Sequence, residues 1–157
     1  LEASETTVRS NTRRMAKARP AAALSRKPST RPSGRRFVVA ISGASGAWYA
    51  QRLLEILLSQ GHEVHLVVSE YGRRLLFDES EIRELSLATL CPALAASLTA
   101  KSRVQIERRL ILHPNKDVGA VIASGSFLHD GMVVIPCSSA SLGAIATGSG
   151  SNLLTRA

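Results

Sequence analysis

The sequence predicts an α/β protein: a Rossmann-like or flavodoxin-like open parallel sheet with helices on both faces, in three layers. Three observations carry that expectation. Strand-length apolar runs alternate with stretches of helical periodicity, and a β-α-β-α order implies a parallel sheet with right-handed crossovers. Two separated segments, Phe37-Val-Val-Ala-Ile-Ser-Gly-Ala-Ser-Gly-Ala47 and Gly131-Met-Val-Val-Ile-Pro-Cys-Ser-Ser-Ala-Ser141, each run from an apolar strand into small hydroxyl-bearing residues and then a helix. Such turns let backbone N–H groups at a helix start approach an anion with no side chain in the way, which points to a phosphate-bearing cofactor. The third observation is size and charge. The 157 residues give room for one domain, and the formal net charge of +8 is confined to one end. Residues 1–36 hold ten Lys/Arg against Glu2 and Glu5, whereas residues 37–157 hold ten of each sign.

Residues 1–35 are expected to form a disordered basic tail. They are rich in Ala, Ser, Pro, Thr and Arg, no acid stands between Glu5 and Glu55, and no apolar periodicity could bury a face. This composition fits an organellar transit peptide and equally an extension upstream of a start at Met15. The body, residues 36–157, is electrically neutral and gives no reason to expect nucleic acid. No run approaches the ~20 apolar residues of a membrane span. The expected location is therefore cytoplasmic, or mitochondrial or plastid if the tail is a transit peptide.

Within the body, Phe37–Ser42 reads as a buried strand. Ala47–Gln60 places Tyr49, Leu53, Ile56, Leu57 and Gln60 at helical spacing before Gly61 closes the helix. Glu63–Val68 is a second strand, and Ser69 precedes a short helix over Tyr71–Phe77. The Ala/Leu-rich stretch Glu81–Leu98 suggests more helix, interrupted at Cys91-Pro92. Val104–Leu112 reads as a strand or an irregular connection, and Lys116–Ala123 as a short helix. Met132–Ile135 is expected to be the third buried strand, followed by a helix over Ser139–Thr147 and a turn over Gly148–Asn152. Leu153–Ala157 begins a further element.

Several residue types favour ordinary roles. Gly43–Gly46 is not a full dinucleotide fingerprint, because the third glycine is absent and Ser69 stands where an acidic ribose ligand would close the second strand. It is not a P-loop either, since no Gly-Lys-Ser/Thr follows. What remains is a mononucleotide held by hydroxyls and amides, with Ser45, Ser69 and Ser138 on the same edge of the sheet. Cys91 and Cys137 form no Cys-x-x-Cys, and Cys137 is expected to be a small buried thiol. His62 and His65 point to opposite faces of a strand, while His113 and His129 lie in connections without ligand-spaced companions, so no metal is expected. Trp48 is expected to pack, and Glu79 taken alone reads as a solvated acid.

Five motifs then carry a resemblance. Ala40-Ile-Ser-Gly-Ala-Ser-Gly-Ala47, Glu63-Val-His-Leu-Val-Val-Ser69, Ala123-Ser-Gly-Ser-Phe127, Gly131-Met-Val-Val-Ile-Pro-Cys-Ser138 and Asn152-Leu-Leu-Thr-Arg-Ala157 resemble the UbiX-type flavin prenyltransferases, in that family's order. The related flavin-dependent cysteine decarboxylases typically have Pro-Ala-Ser-Ala-Asn-Thr where this chain has Pro136-Cys-Ser-Ser-Ala-Ser141, which favours the prenyltransferase branch. The resemblance implies transfer of a dimethylallyl group from dimethylallyl monophosphate to reduced FMN, the product serving UbiD-type decarboxylases, one of them in ubiquinone synthesis. It implies FMN contacts from Gly43, Ala44, Ser45, Ser69, Ser138, Ser139, Ala140 and Ser141. Ala123 and Ser124 match residues lining the prenyl site. Glu79 matches an acid near the dimethylallyl phosphate, and Arg156 an arginine that holds this phosphate across a subunit interface of a homo-oligomer. The catalytic candidates are Glu79, Ser45 and Ser124. Glu70, following Ser69, departs from the family's basic or neutral residue and would weaken attraction for the flavin phosphate if it faces the site. The resemblance also implies that the C-terminal third of the family domain is missing after Ala157, with a lysine, an Arg-Glu pair, a tyrosine and an arginine. Two alternatives therefore stand beside the prenyltransferase: an FMN-binding cysteine decarboxylase-like flavoprotein, and a catalytically incompetent FMN-binding fragment.

Overall fold

The computed structural model describes residues 34–157, so the expected disordered tail lies outside the described residues except for Gly34 and Arg35. Four parallel strands, β1 (Arg36–Ile41), β2 (Glu63–Val68), β3 (Leu110–Pro114) and β4 (Gly131–Val134), form one sheet in the order β3-β2-β1-β4. In register, Val39 lies between Leu66 of β2 and Val133 of β4. This is the order that opens a Rossmann sheet; in a flavodoxin sheet β3 would neighbour β1. The chain grows outward from β1 through β2 to β3 and then returns to the other side of β1. The direction reverses between β1 and β4, and ligands of open parallel sheets bind at such a switch, beyond the carboxyl ends of the strands.

Alternation along the strands divides the core between two faces. Val39 and Ile41 of β1 and Val64, Leu66 and Val68 of β2 pack against Leu54 and Leu58 of α1 (Ala47–Ser59) and Leu76 of α2 (Glu70–Ser80). Leu87 and Leu90 of α3 (Leu87–Leu90) and Leu94 of α4 (Pro92–Ser97) extend that layer. On the other face, Val38, Ala40 and Val67 meet Ile122 of a short 3-10 turn (Val121–Ala123). After α5 (Ala100–Glu107) and α6 (Ser139–Ala146) comes α7 (Leu153–Arg156), whose Leu153 and Leu154 join this second cluster. Fully burying each such Leu or Val contributes about 1.5–3 kcal/mol.

The first half of the domain follows the expectation closely, while the second half departs from it in four places. Glu81–Leu98 is helical only from Leu87, where Ser86 and Thr89 form a reciprocal capping box, and breaks at Cys91. Val104–Leu112 straddles the end of α5 and the start of β3. α5 is capped by Thr99, whose hydroxyl accepts from Ser102 N, but none of its residues is fully buried, so it leaves no amphipathic trace. Lys116–Ala123 holds only the 3-10 turn, because the Asp117 side chain accepts from Gly119 N and diverts the backbone into a turn. The strand expected over Met132–Ile135 is the fourth rather than the third. It is only partly buried, with Val133 37 % exposed, because no strand among the described residues pairs with its outer edge.

His113 also departs from expectation. It lies on β3, and strand pairing gives it the companion that sequence spacing could not: His65 Nδ1 is 2.8 Å from His113 Nε2. His65 Nε2 in turn lies 2.8 Å from Glu63 Oε1, which also accepts from Arg36. Burial raises the Glu63 carboxyl pKa, but the hydrogen bonds and charges of Arg36 and His65 outweigh burial and hold it below the usual value. The His113 imidazole is pushed down by burial and by the neighbouring His65. Among the described residues no group of three or more His, Cys, Asp or Glu is placed to hold a metal ion.

Candidate functional site

The site is built from the residues that follow the strands. Ser42, directly after β1, is buried; its hydroxyl donates to Pro136 O at 3.0 Å and accepts from Ser138 N at 2.7 Å. Its own N–H also donates to Pro136 O at 3.1 Å. One serine thus clips the turn after β1 to the turn after β4. The sequence reading passed over Ser42, although a hydroxyl at the carboxyl end of a strand bordering the switch point was an available signal.

The turn after β1 leads into α1 through Gly46, the N-cap, at φ 121°. Glycine suits that left-handed backbone but has no side chain with which to cap the helix. The carboxylate of Glu79, near the C-terminal end of α2, takes over. It accepts from Ala47 N at 2.9 Å, Gly46 N at 3.1 Å and Ser45 Oγ at 2.7 Å. A negative group belongs there, since the helix dipole and the unpaired first N–H groups both favour it. Glu79 is held below the usual carboxylate range by the Ala47 N–H, the Ser45 hydroxyl and the Gly46 N–H, in that order. The anion at the start of α1 is therefore the protein's own.

The other two turns end differently. Ser69 caps α2 by accepting from Gly72 N at 3.0 Å. Gly72 is required by close approach, because a Cβ there would lie 2.5 Å from Ile41 O. Ser138 caps α6, accepting from Ser141 N at 3.2 Å and donating to Ser141 Oγ at 3.0 Å. Between these helix starts lies a cavity of about 370 Å³ lined by Gly43, Ser69, Ser138, Ala140 and Ser141, which were singled out in the sequence. Glu70, Tyr71, Asn115 and Asn152 complete the lining and were not assigned to the flavin contacts. Asn152 accepts from Thr155 N, and Asn115 Oδ1 from Leu154 N, so both fix α7 beside the cavity. Asn152 before Leu-Leu-Thr was readable as a helix N-cap. Asn115 becomes meaningful only once β3 is known to end beside it.

The remaining candidates do not line this cavity. Ala44 and Ser139 belong to the two turns without lining it, and Ser45 is bound to Glu79. Ala123 ends the 3-10 turn, and the Ser124 hydroxyl pairs with Ser126 Oγ at 2.8 Å. Arg156 runs along Gly150 in the last turn of α7. Glu70 lines the cavity, and Lys116 pairs with it at 2.9 Å. Cys137 is exposed rather than buried, because it leaves the sheet edge directly after Pro136. The buried thiol is Cys91, pushed up to about 12 by burial and then by the charge of Glu55. Trp48 is 74 % exposed rather than packed, because it lies on the outer side of α1, away from Ala47 and Ala50, which face the core.

A family model described as Flavoprotein matches residues 25–157. The chain belongs to the Flavoprotein family. This flavoprotein is 41 % identical over 124 residues to the flavin prenyltransferase UbiX of Neisseria meningitidis, which covers 78 % of the chain and 56 % of that protein. It is 37 % identical over 134 residues to a mitochondrial flavin prenyltransferase of Saccharomyces cerevisiae, covering 85 % of the chain and 48 % of the relative. Among solved structures, a UbiX protein crystallised with FMN and dimethylallyl pyrophosphate superposes with a TM-score of 0.60 at 31 % identity, over 78 % of this chain and 56 % of that one. A dodecameric FMN-dependent UbiX-like decarboxylase from Escherichia coli gives a TM-score of 0.57 at 30 % identity, over 77 % and 57 % of the two chains. The resemblance to UbiX-type flavin prenyltransferases and the α/β fold both hold. The flavoprotein spans about half the length of the curated relatives it matches.

Proposed function

We propose that this flavoprotein binds FMN in the cavity at the carboxyl edge and serves in flavin prenylation, with a dimethylallyl group passing from dimethylallyl monophosphate to the reduced flavin. The observation that carries this reading is convergence. Gly43 after β1, Ser69 after β2, Asn115 after β3 and Ser138 after β4 line one cavity, so all four strand ends contribute. The lining suits the ligand: hydroxyl and amide groups for polar contacts, a small alanine where a flat ring must lie close, and a volume at the lower end of ordinary small-molecule sites.

Each group then has a task. Ser138 and Ser141 at the start of α6, with Ser69 at the start of α2, offer hydroxyls and helix N-termini to a phosphate. Gly43 lets Tyr71 pack against the turn after β1, because a Cβ there would collide with the Tyr71 side chain, and Ala44 and Ser139 stand beside the ring. Glu79 accepts the Ser45 proton, which fixes that hydroxyl and leaves its oxygen to accept from a flavin N–H. Ala123 and Ser124 border the prenyl group, and Arg156 holds the departing phosphate of a neighbouring subunit in a homo-oligomer. Reduced FMN would supply the nucleophile: the bond to N5 would form as the C–O bond breaks, the phosphate leaving with its electrons and N5 giving up its proton, and closure at C6 would add a proton to the alkene and release the one on C6. The prenylated product is handed to a UbiD-type decarboxylase. Residues 1–35 and the mitochondrial location of the yeast relative together support an organellar alternative to the cytoplasm. A fluorescent fusion of the whole chain decides between them.

The test begins with FMN added to the purified chain, followed by desalting, a visible spectrum and size exclusion on the same sample. Retained flavin in a discrete oligomer is expected. Anaerobic addition of dithionite and dimethylallyl monophosphate should then add one C5H8 unit to the flavin by mass spectrometry. Retained flavin without that gain would favour the incompetent FMN-binding fragment, and complete loss of flavin would overturn the reading.

A further inference from the structure

The lining of the cavity presents a problem for a phosphorylated ligand, since among the described residues its only charged member is an acid, Glu70. The structure also contains the remedy. Lys116 Nζ lies 2.9 Å from Glu70 Oε1, bridging the start of α2 and the turn after β3. Lys116 directly follows Asn115, which lines the cavity, and its ammonium is held at Glu70, a second lining residue. Both side chains are largely exposed, at 86 % and 71 %. Ion pairs this exposed contribute little to stability, so Lys116 can exchange Glu70 for a stronger anion at small cost. A phosphomonoester near neutral pH is such an anion, with close to two negative charges and three acceptor oxygens. Glu70 is not stranded by the exchange, because it sits in the first turn of α2, where the helix dipole favours a carboxylate.

We propose that Lys116 reads the phosphate of the flavin: Glu70 holds it beside the cavity when no flavin is bound, and it turns to the phosphate when FMN enters, so the site prefers FMN to riboflavin. This inference rests on the flavin reading above. It makes Lys116 a specificity-determining residue and Glu70 the competitor that tempers the affinity. The ion pair perturbs both partners in the matching directions, with Glu70 lowered and Lys116 raised, each through the hydrogen bond to the other.

The experiment is a pair of equilibrium titrations, FMN and riboflavin followed by flavin fluorescence, on the full chain and its Lys116→Gln and Glu70→Gln variants. Lys116→Gln is expected to weaken FMN about tenfold and leave riboflavin within about twofold, the loss of one charge-assisted phosphate contact. Glu70→Gln is expected to tighten FMN about threefold, since it removes the competitor and a like charge. The two halves of one ion pair thus act with opposite signs. If the pair were only a structural tie, both variants would move both ligands in the same direction, and that result would overturn the proposal. An FMN-to-riboflavin ratio equal in all three proteins would overturn it as well while leaving the flavin reading intact. If the unmodified chain bound neither flavin, the flavin reading and this inference would fall together.

Discussion

The turns after β1 and after β4 look interchangeable in sequence, each an apolar strand running into small and hydroxyl residues before a helix, yet they end in different chemistry. At the start of α1 the N–H groups of Gly46 and Ala47 are already taken by Glu79. At the start of α6 the cap is the local Ser138 hydroxyl, and Ser138, Ala140 and Ser141 face the cavity. A Gly-x-x-Gly turn is therefore not by itself an anion site. What decides is whether the protein supplies an anion of its own, here from a residue 33 positions away in sequence. The first turn becomes a rigid wall with a fixed Ser45, and the second remains open to a ligand.

The largest expected effect comes from the third helix start, where α2 presses on the end of β1. Gly72→Val would force a branched side chain toward Ile41 O, a backbone atom that cannot rotate away, and should destabilise the domain by about 3 kcal/mol in urea unfolding. A midpoint unchanged from that of the parent chain would show that α2 does not press on the end of β1. Next is Ser42→Ala, which unclips the two turns. It leaves Ser138 N without its acceptor and should cost about 2 kcal/mol, with weaker FMN binding because α6 is no longer registered against β1. If stability fell without any change in flavin affinity, the clip would serve the fold alone.

Ser138→Ala removes the local cap of α6 and should cost about 1 kcal/mol of stability. Because Ser138 also lines the cavity, FMN affinity should fall by more than this stability loss alone would suggest. Ser45→Ala is the matching change in the other turn. It should weaken FMN by no more than the one hydrogen bond that Ser45 offers the flavin, since Glu79 keeps both backbone N–H bonds and the turn its shape, while prenyl transfer slows.

How much of this was legible in advance depends on the range of the interactions. β1, α1 and β2 were readable because their apolar residues repeat locally and are buried as they repeat: Val39 and Ile41 on one face, Val38 and Ala40 on the other. α5 was not readable because none of its residues is fully buried, and the half-buried β4 was misjudged because the burial of a strand depends on its neighbours. In the site, Gly43, Ser69, Ser138, Ala140 and Ser141 could be placed at the strand ends from the sequence. Their uses could not, because the bonds that define them cross the chain: Ser42 to Ser138, Glu79 to Ala47, Glu70 to Lys116. His113 failed for the same reason, since its partner His65 is a neighbour only across paired strands.

The smallest and most direct test turns the first turn into a copy of the second. In the folded protein Glu79 loses its proton at lower pH than an ordinary carboxyl group, near 4.5, because three donors bind the ionised form. The stability it contributes is therefore complete above about pH 4.5 and is lost as pH falls through its folded value. Glu79→Gln keeps one acceptor oxygen but has no charge to lose. The gap in urea midpoint between the parent chain and the variant should thus be widest near neutral pH and narrow as the pH falls below the ordinary carboxyl value through that of folded Glu79. Glu63, also held low, titrates in both proteins and cancels in the difference. At neutral pH, added sulfate should stabilise the variant more than the parent chain, because the α1 N-terminus is then without its internal carboxylate. Equal sulfate responses would mean that the N–H groups of Gly46 and Ala47 are inaccessible even when uncharged glutamine replaces Glu79, so that the difference between the two turns lies in their backbone shape and not in the carboxylate.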